Sequence, residues 1–294
     1  MRVFVTGATG FIGSAVVKEL IHAGHEVVGL ARSDKGAAAL HAIGAEALRG
    51  SLGDHDRLRS GAAEADGVIH LAFDNTFMDV AGAITDDLHA IEAIGDTLAG
   101  SGKPFVMTSV TTMVTSLGRP ATEDDQGQDG SPGLSRSTAE NMAIALAERN
   151  VRSSAVRLAP CVHDTISQGF ATLLAEIARQ KGVSAYVGDG ANHWPALHRL
   201  DAAKLYRLAL ESAPAGSRLH GAGEEAIPFR NIAEAIGQHL NLPVSSISPE
   251  AAEDHFGWLT PFVIMDNPTS NAWTRKRLIW EPAEPTLVAD ILGQ

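Results

Sequence analysis

Short apolar runs alternate with helical patterns through the first half of the chain. Runs rich in branched aliphatic residues fall at 2–6, 26–30, 46–49, 67–71, 104–108 and 153–158. Between them, apolar residues recur at three- and four-residue intervals over 11–23, 34–43, 54–62, 83–100 and 136–149. Continuous apolar runs suit strands buried on both faces, and the longer spacing gives a helix a single apolar stripe. The alternation predicts repeated right-handed βαβ units, hence an α/β fold: a doubly wound parallel sheet covered by helices on both sides. Two stretches interrupt the pattern: 116–133, rich in Gly, Pro and Asp, and 186–195, with Gly188-Asp189-Gly190-Ala191-Asn192. Long loops at the carboxyl ends of such strands shape the substrate cleft.

The first strand runs directly into Thr6-Gly7-Ala8-Thr9-Gly10-Phe11-Ile12-Gly13. Gly7 permits the tight turn, Gly10 lets the backbone approach a pyrophosphate, and Gly13 lets the following helix pack on the strand with its positive end toward the phosphates. A glycine triplet can also simply pack a helix on a sheet. Here a strand begins at residue 3 and an amphipathic stretch over 14–23 is closed by Gly24, the context of a dinucleotide loop. The pattern therefore predicts a Rossmann-type domain over 1–160, with 193–215 returning to it, and a small substrate-binding region from 161–192 and 216–294. From about residue 216 onward the chain is short helices and proline-punctuated segments.

The second strand ends Val27-Val28-Gly29-Leu30-Ala31-Arg32-Ser33. A carboxylate here would bind the ribose 2′-hydroxyl of NAD and repel a 2′-phosphate. Ala31 takes that place, and Arg32 with Ser33 offers a cation and a hydroxyl, so the expected cofactor is NADP. A solvated arginine at a loop start is the simpler account of Arg32.

Composition narrows the picture. The chain has 294 residues, a formal net charge of -12, 45% hydrophobic and 20% charged residues, twelve histidines and one cysteine. No basic cluster suggests a nucleic-acid partner. No apolar run reaches the roughly 18 residues that span a bilayer, and no signal segment opens the chain, so the expected location is cytoplasmic, away from membranes. Cys161 alone forms no intrachain disulfide, and no His or acidic spacing suggests a metal.

With these motifs in place, the chain resembles an extended or atypical short-chain dehydrogenase/reductase of the NAD-dependent epimerase/dehydratase group. Beyond the glycine loop, the resemblance covers Gly67-Val68-Ile69-His70-Leu71-Ala72, Val106-Met107-Thr108-Ser109, Val156-Arg157-Leu158-Ala159-Pro160-Cys161-Val162, Leu197-His198-Arg199-Leu200-Asp201-Ala202-Ala203 and a tail from Thr274 to Pro282. It implies cofactor contacts from Thr6, Gly7, Thr9, Gly10, Phe11, Ile12, Gly13, Arg32, Ser33, Leu71, Ala72, Thr108, Pro160, Cys161 and Val162. Ser51 and Leu52 stand where the family's adenine-side Asp is usual. Helices at 83–100 and 136–149 often pair across a dimer in this family, so a homodimer is implied.

The family's Tyr-x-x-x-Lys is missing: anchoring on Glu140 and Arg157 puts Pro132 in the Tyr position and Arg136 in the Lys position. Arg136 can grip ribose hydroxyls but does not shuttle protons near neutrality. The resemblance makes Ser109 the active-site hydroxyl, and a strand-end hydroxyl capping a turn is its bland alternative; Thr111 is a similar, lesser candidate. His163 has a side chain suited to proton donation, or is a loop histidine bonded to backbone. Tyr186 reads as edge-strand packing, Tyr206 as a packed helix face, Cys161 as a small core residue and Asp201 as a helix cap. His198 and Trp194 sit in a segment folding toward the substrate.

The expected function is an NADP-dependent oxidoreductase acting on a small carbonyl, alcohol or imine substrate. In it Ser109 polarises the substrate oxygen, Arg136 orients the ribose and the proton comes from water, His163 or the substrate. The alternatives are an NADP-sensing regulatory protein without catalysis, and a nucleotide-sugar epimerase or dehydratase.

Overall fold

A computed structural model describes residues 1–74, 79–128, 131–165 and 169–293. Its strands are β1 (Arg2–Thr6), β2 (Glu26–Ala31), β3 (Glu46–Arg49), β4 (Gly67–His70), β5 (Pro104–Val110), β6 (Arg152–Leu158), β7 (Cys161–His163), β8 (Ser184–Val187), β9 (His193–His198), β10 (Ser217–Gly221), β11 (Glu224–Pro228) and β12 (Val244–Ile247). Among the described residues, seven of them form one parallel sheet in the order β10-β6-β5-β4-β1-β2-β3. The doubly wound α/β expectation holds. The long helices are α1 (Phe11–His22), α2 (Asp34–Ala42), α3 (His55–Glu64), α4 (Val80–Leu98), α5 (Ser137–Ala145), α6 (Phe170–Lys181), α7 (Arg199–Ser212) and α8 (Phe229–Leu240).

Each sheet face has its own core. Val16 and Leu20 of α1 meet Leu205 and Tyr206 of α7 over Val5 and Val106 on one face. Leu58 of α3, Ile91 and Ile94 of α4 and Ala143 of α5 cover Phe4 and Phe105 on the other. Burial of each such large side chain contributes about 1.5–3 kcal/mol, enough in sum to fix the layers. A third core lies under the smaller sheet β11-β9-β7, where Trp194, Phe229, Phe256 and Ile236 pack. β9 joins the two bodies: Leu197 points into the large-sheet core, while Trp194 and Ala196 point into the third.

Several boundaries differ from the sequence pattern. β5 runs through Val110, because Ser109 and Val110 continue the ladder opposite Arg157 and Leu158 of β6. The helix expected over 136–149 is a 3₁₀ turn (Leu134–Arg136), then α5, then a second 3₁₀ turn (Leu146–Arg149) stopped by Asn150 in the left-handed conformation. β10 pairs with β6 and so joins the large sheet from beyond residue 215. Asp201 does not cap α7. His198 does, its Nδ1 accepting the Leu200 N–H, while the Asp201 carboxylate takes the amides of Ala283 and Glu284 from the C-terminal tail. Trp194 is fully buried rather than turned to a cleft.

Ile279 gives a test of local strain. This branched residue holds φ 51° at the end of the helix Ala272–Leu278 and is 86% exposed, where Asn150 and Asn241 make the equivalent stop elsewhere. The left-handed conformation costs such a residue about 1–2 kcal/mol, and Asn adopts it readily. Ile279→Asn is expected to stabilise the fold by about 1 kcal/mol, read by urea denaturation; equal or lower stability would show that the Ile279 conformation is unstrained.

Candidate active site

The glycine run forms the turn from β1 into α1. Gly7 has φ +68°, and a Cβ there would lie 2.7 Å from the Ala72 amide nitrogen. A Cβ on Gly13 would fall onto the Gly7 carbonyl oxygen. Thr9 and Gly10 are exposed. No side chain caps α1 and its first turn carries no acid, whereas Ser33, Asp54 and Asp79 cap α2, α3 and α4. The uncapped amides and helix dipole of α1 therefore make a seat for a diphosphate, and the residues present fit a dinucleotide.

A second group of small and polar residues meets where β2 stops. Thr9, Ala31 and Ser33 converge on Gly36, whose Cβ would lie 3.3 Å from Thr9 Cγ2 and 3.4 Å from Ser33 Oγ. Ser33 Oγ accepts the Gly36 N–H at 3.1 Å, leaving its hydroxyl proton to donate outward. Arg32 is exposed and makes no ion pair among the described residues. Arg49, opposite Ala31 at the end of β3, donates Nη2 to the Arg32 carbonyl at 3.2 Å and pairs with Asp34 at 3.2 Å. It is a second cation beside Arg32 that the sequence reading passed over. Ser51 is exposed and Leu52 half-buried just beyond.

At the other end, a buried polar chain links the glycine loop to Arg136. The Ala72 N–H donates to Thr6 Oγ1 at 3.2 Å, and Thr6 Oγ1 lies 2.7 Å from His70 Nδ1. His70 Nε2 lies 3.0 Å from Asp87 Oδ1, an atom that only accepts, so Nε2 carries the proton and Nδ1 accepts from the Thr6 hydroxyl. Asp87 Oδ2 in turn lies 3.0 Å from Arg136 Nη1. Arg136 donates Nη2 to the Thr108 carbonyl at 2.9 Å and stacks on the Phe73 ring with 3.9 Å from Cζ to centroid. Burial lowers the Arg136 pKa, opposed by Asp87, Tyr206 and Glu140. Thr108 Oγ1 donates to the His70 carbonyl at 2.9 Å, so the Tyr206 hydroxyl, 2.8 Å away, donates to Thr108. Burial pushes the Tyr206 pKa up and leaves its phenol fully enclosed.

The structure separates the other candidates. Ser109 has no exposed surface and faces the opposite side of the sheet from Thr108, with Met113 Sδ 3.9 Å from its Oγ. There it helps hold Glu140, which also accepts from Arg157 at 2.9 and 2.7 Å and from Arg218 at 2.7 Å. Burial works to raise the Glu140 pKa, but these bonds outweigh it and hold the carboxyl below its ordinary range. Thr111 Oγ1 donates to Asn267 Oδ1 at 2.8 Å, and Asn267 donates to the Thr111 and Val114 carbonyls, a knot between the loop after β5 and the C-terminal region. His163 is buried, its Nδ1 donating to Asp290 at 2.6 Å; burial lowers its pKa against the pull of Asp290. Burial also pushes the Cys161 thiol up to about 12, leaving it inert, while Pro160 and Val162 beside it are half-buried. Pro132 is half-buried four residues before Arg136, beside Gly133, whose Cβ would meet Thr112 Oγ1. Tyr186 lies under the Arg230 guanidinium, 5.4 Å from Cζ to ring centroid. Among the described residues, no group of three His, Cys, Asp or Glu side chains is placed for a metal ion, and no helix is long and apolar enough to cross a membrane.

Comparison with known proteins supplies the context. A sequence model described as the NAD dependent epimerase/dehydratase family matches residues 3–220. The chain is similar to an uncharacterized protein of Schizosaccharomyces pombe, with 47% identity over 291 residues, 99% of this chain and 98% of that one. It is 28% identical over 262 residues to the 2-alkyl-3-oxoalkanoate reductase of Stenotrophomonas maltophilia, covering 83% of this chain and 77% of the reductase. Among solved structures, a double mutant of the dTDP-glucose 4,6-dehydratase DesIV from Streptomyces venezuelae, with NAD and DAU bound, matches with a TM-score of 0.79. At 18% identity over 99% of this chain and 95% of that one, this is a likeness of fold.

Proposed function

The chain belongs to the NAD dependent epimerase/dehydratase family, and from that premise we propose that it is an NADP-dependent oxidoreductase reducing or oxidising a small carbonyl, alcohol or imine substrate. One observation carries the cofactor choice: the uncapped amide end of α1 lies beside a strand that ends on Ala31 where a carboxylate would bind the ribose, followed by Arg32 and Ser33, with the nearby Asp34 turned to Arg49. When bound, the nicotinamide supplies the hydride. The amides of Phe11 to Gly13 hold the diphosphate, since the Gly10 N–H is already donated to the Gly7 carbonyl, Arg32 and Ser33 hold the 2′-phosphate, and Leu71 and Ala72 line the dinucleotide. Arg136, held from behind by Asp87, orients the ribose on the nicotinamide side. Ser109 serves from beneath, bracing Glu140 and so the start of α5. The likeness to a reductase of oxoalkanoates supports a carbonyl substrate.

A second reading draws on Pro132: with no phenol where the family carries one, an NADP sensor without turnover keeps the same pocket. A nucleotide-sugar epimerase or dehydratase is disfavoured, because those reactions lean on that phenol.

The cofactor test is a titration of protein with NADPH and NADH. Wild type is expected to prefer NADPH. Arg32→Ala is expected to weaken NADPH about tenfold to a hundredfold, the loss of one or two charge-assisted bonds, while leaving NADH within about twofold. Tighter binding of NADH by wild type would overturn the assignment.

A further inference from the structure

The position where the family carries its proton donor holds Pro132, and elsewhere on the molecule His193 is a partly exposed imidazole paired with a carboxylate. His193 opens β9, and side chains alternate along the strand: Leu197, four residues on, faces the large-sheet core, while Trp194 and Ala196 face the other way. His193 therefore begins the row that faces the large sheet, at the end where that row leaves the core; its side chain is 38% exposed. A carboxylate fixes it. Asp266 Oδ1 accepts the His193 backbone N–H at 2.8 Å and the ring Nδ1–H at 2.9 Å. That leaves Nε2 without a partner among the described residues, and Asp266 is the acid paired with this ring.

The same segment is bolted to the loop that follows β5. The Asp266 carbonyl accepts the Ser116 N–H at 2.8 Å, the Asn267 N–H donates to the His193 carbonyl at 2.9 Å, and the Asn267 side chain is tied to Thr111 and Val114. The dyad is thus tied to residues 111–116, which directly follow the strand whose Thr108 carbonyl accepts from Arg136. The other candidates lack access or a suitable proton: Tyr206 and His163 are buried, Tyr186 lies under Arg230, and a guanidinium does not titrate near neutrality. An imidazole does.

Resting on the oxidoreductase reading above, we propose that His193, oriented by Asp266, is the proton donor to the substrate oxygen. In carbonyl reduction His193 gives its Nε2 proton to the oxygen that gains the π-electron pair when the carbonyl carbon accepts the hydride of NADPH. Nδ1–H stays on Asp266, and water reprotonates the exposed ring. NADPH is oxidised and the carbonyl becomes an alcohol; the reverse direction has Nε2 accept the alcohol proton.

The test compares wild type with His193→Asn and Asp266→Asn, using NADPH and a panel of aliphatic aldehydes, aromatic aldehydes and α-diketones. His193→Asn is expected to lower kcat by roughly a hundredfold, to leave NADPH affinity within about twofold, and to abolish the limb over which kcat/KM falls as the donor loses its proton. Asp266→Asn, acting through orientation, is expected to lose about tenfold and to move that limb rather than remove it. Wild-type kcat and pH profile in His193→Asn would overturn the assignment while leaving the oxidoreductase reading intact. Wild type that binds NADPH and turns over none of the panel overturns that reading and His193 with it. Independently of turnover, the His193 ring proton resonance in wild type is expected to shift when NADP is added, and a resonance that stays in place overturns the placement.

Discussion

Gly13→Ala is expected to lose about 3 kcal/mol of stability and at least about a hundredfold in NADPH affinity. The reason is where the new methyl group would go. At Gly13 it meets the Gly7 carbonyl oxygen and lies 3.1 Å from Ala8 Cα, all backbone, and no side-chain rotation relieves it. Either the first turn of α1 lifts from the loop or the loop moves from under it, and both displace the amides proposed to hold the diphosphate. Gly24→Ala is the matched control. Gly24 has φ +85°, so alanine there is strained by about 1 kcal/mol, but no atom lies within 4 Å of the new Cβ and the position is remote from the loop. The control is expected to keep full NADPH affinity. Urea denaturation and calorimetric titration check both variants, and an unaltered NADPH affinity in Gly13→Ala would remove the glycine loop from the site.

What the sequence could display here was local. The glycine spacing, the missing carboxylate after β2 and the alternation of strand and helix each need only neighbouring residues, and the large sheet follows from them. Long-range partners were hidden. Ser109 was read at a strand end, and its direction depended on β5 running two residues further, which the ladder to β6 decides. Asp201 looked like a cap because its partners lie more than eighty residues away in the tail. His193 and Asp266 meet across 73 residues, and no periodicity links them. One residue did leave a signal that went unread. Along α4 the buried positions include Ala83, Ala90, Ile91, Ile94 and Leu98, and Asp87 falls in that register while its neighbour Asp86 does not. A carboxylate on the apolar stripe of a helix announces a buried partner.

That partner sets the last expectation. Asp87 is 1% exposed and Arg136 8%, and their contact joins His70 to the loop that carries Pro132. Removing one charge strands the other, so Asp87→Ala is expected to destabilise the fold by about 3–5 kcal/mol, and Arg136→Met by a similar amount. Replacing both by apolar groups of similar volume removes the burden of two buried charges. The double variant Asp87→Leu/Arg136→Met is therefore expected to regain part of the stability that either single change loses, short of wild type by about 1–3 kcal/mol because the buried His70 Nε2–H loses its acceptor. Function does not follow stability back. If Arg136 orients the nicotinamide-side ribose, the double variant folds yet binds NADPH at least about tenfold more weakly, because no guanidinium remains to meet the sugar. Denaturation curves of the four proteins give the coupling, and calorimetric titration gives the affinity. Partly recovered stability with undiminished NADPH binding would make Arg136 a strut of the fold and would leave the ribose to other residues.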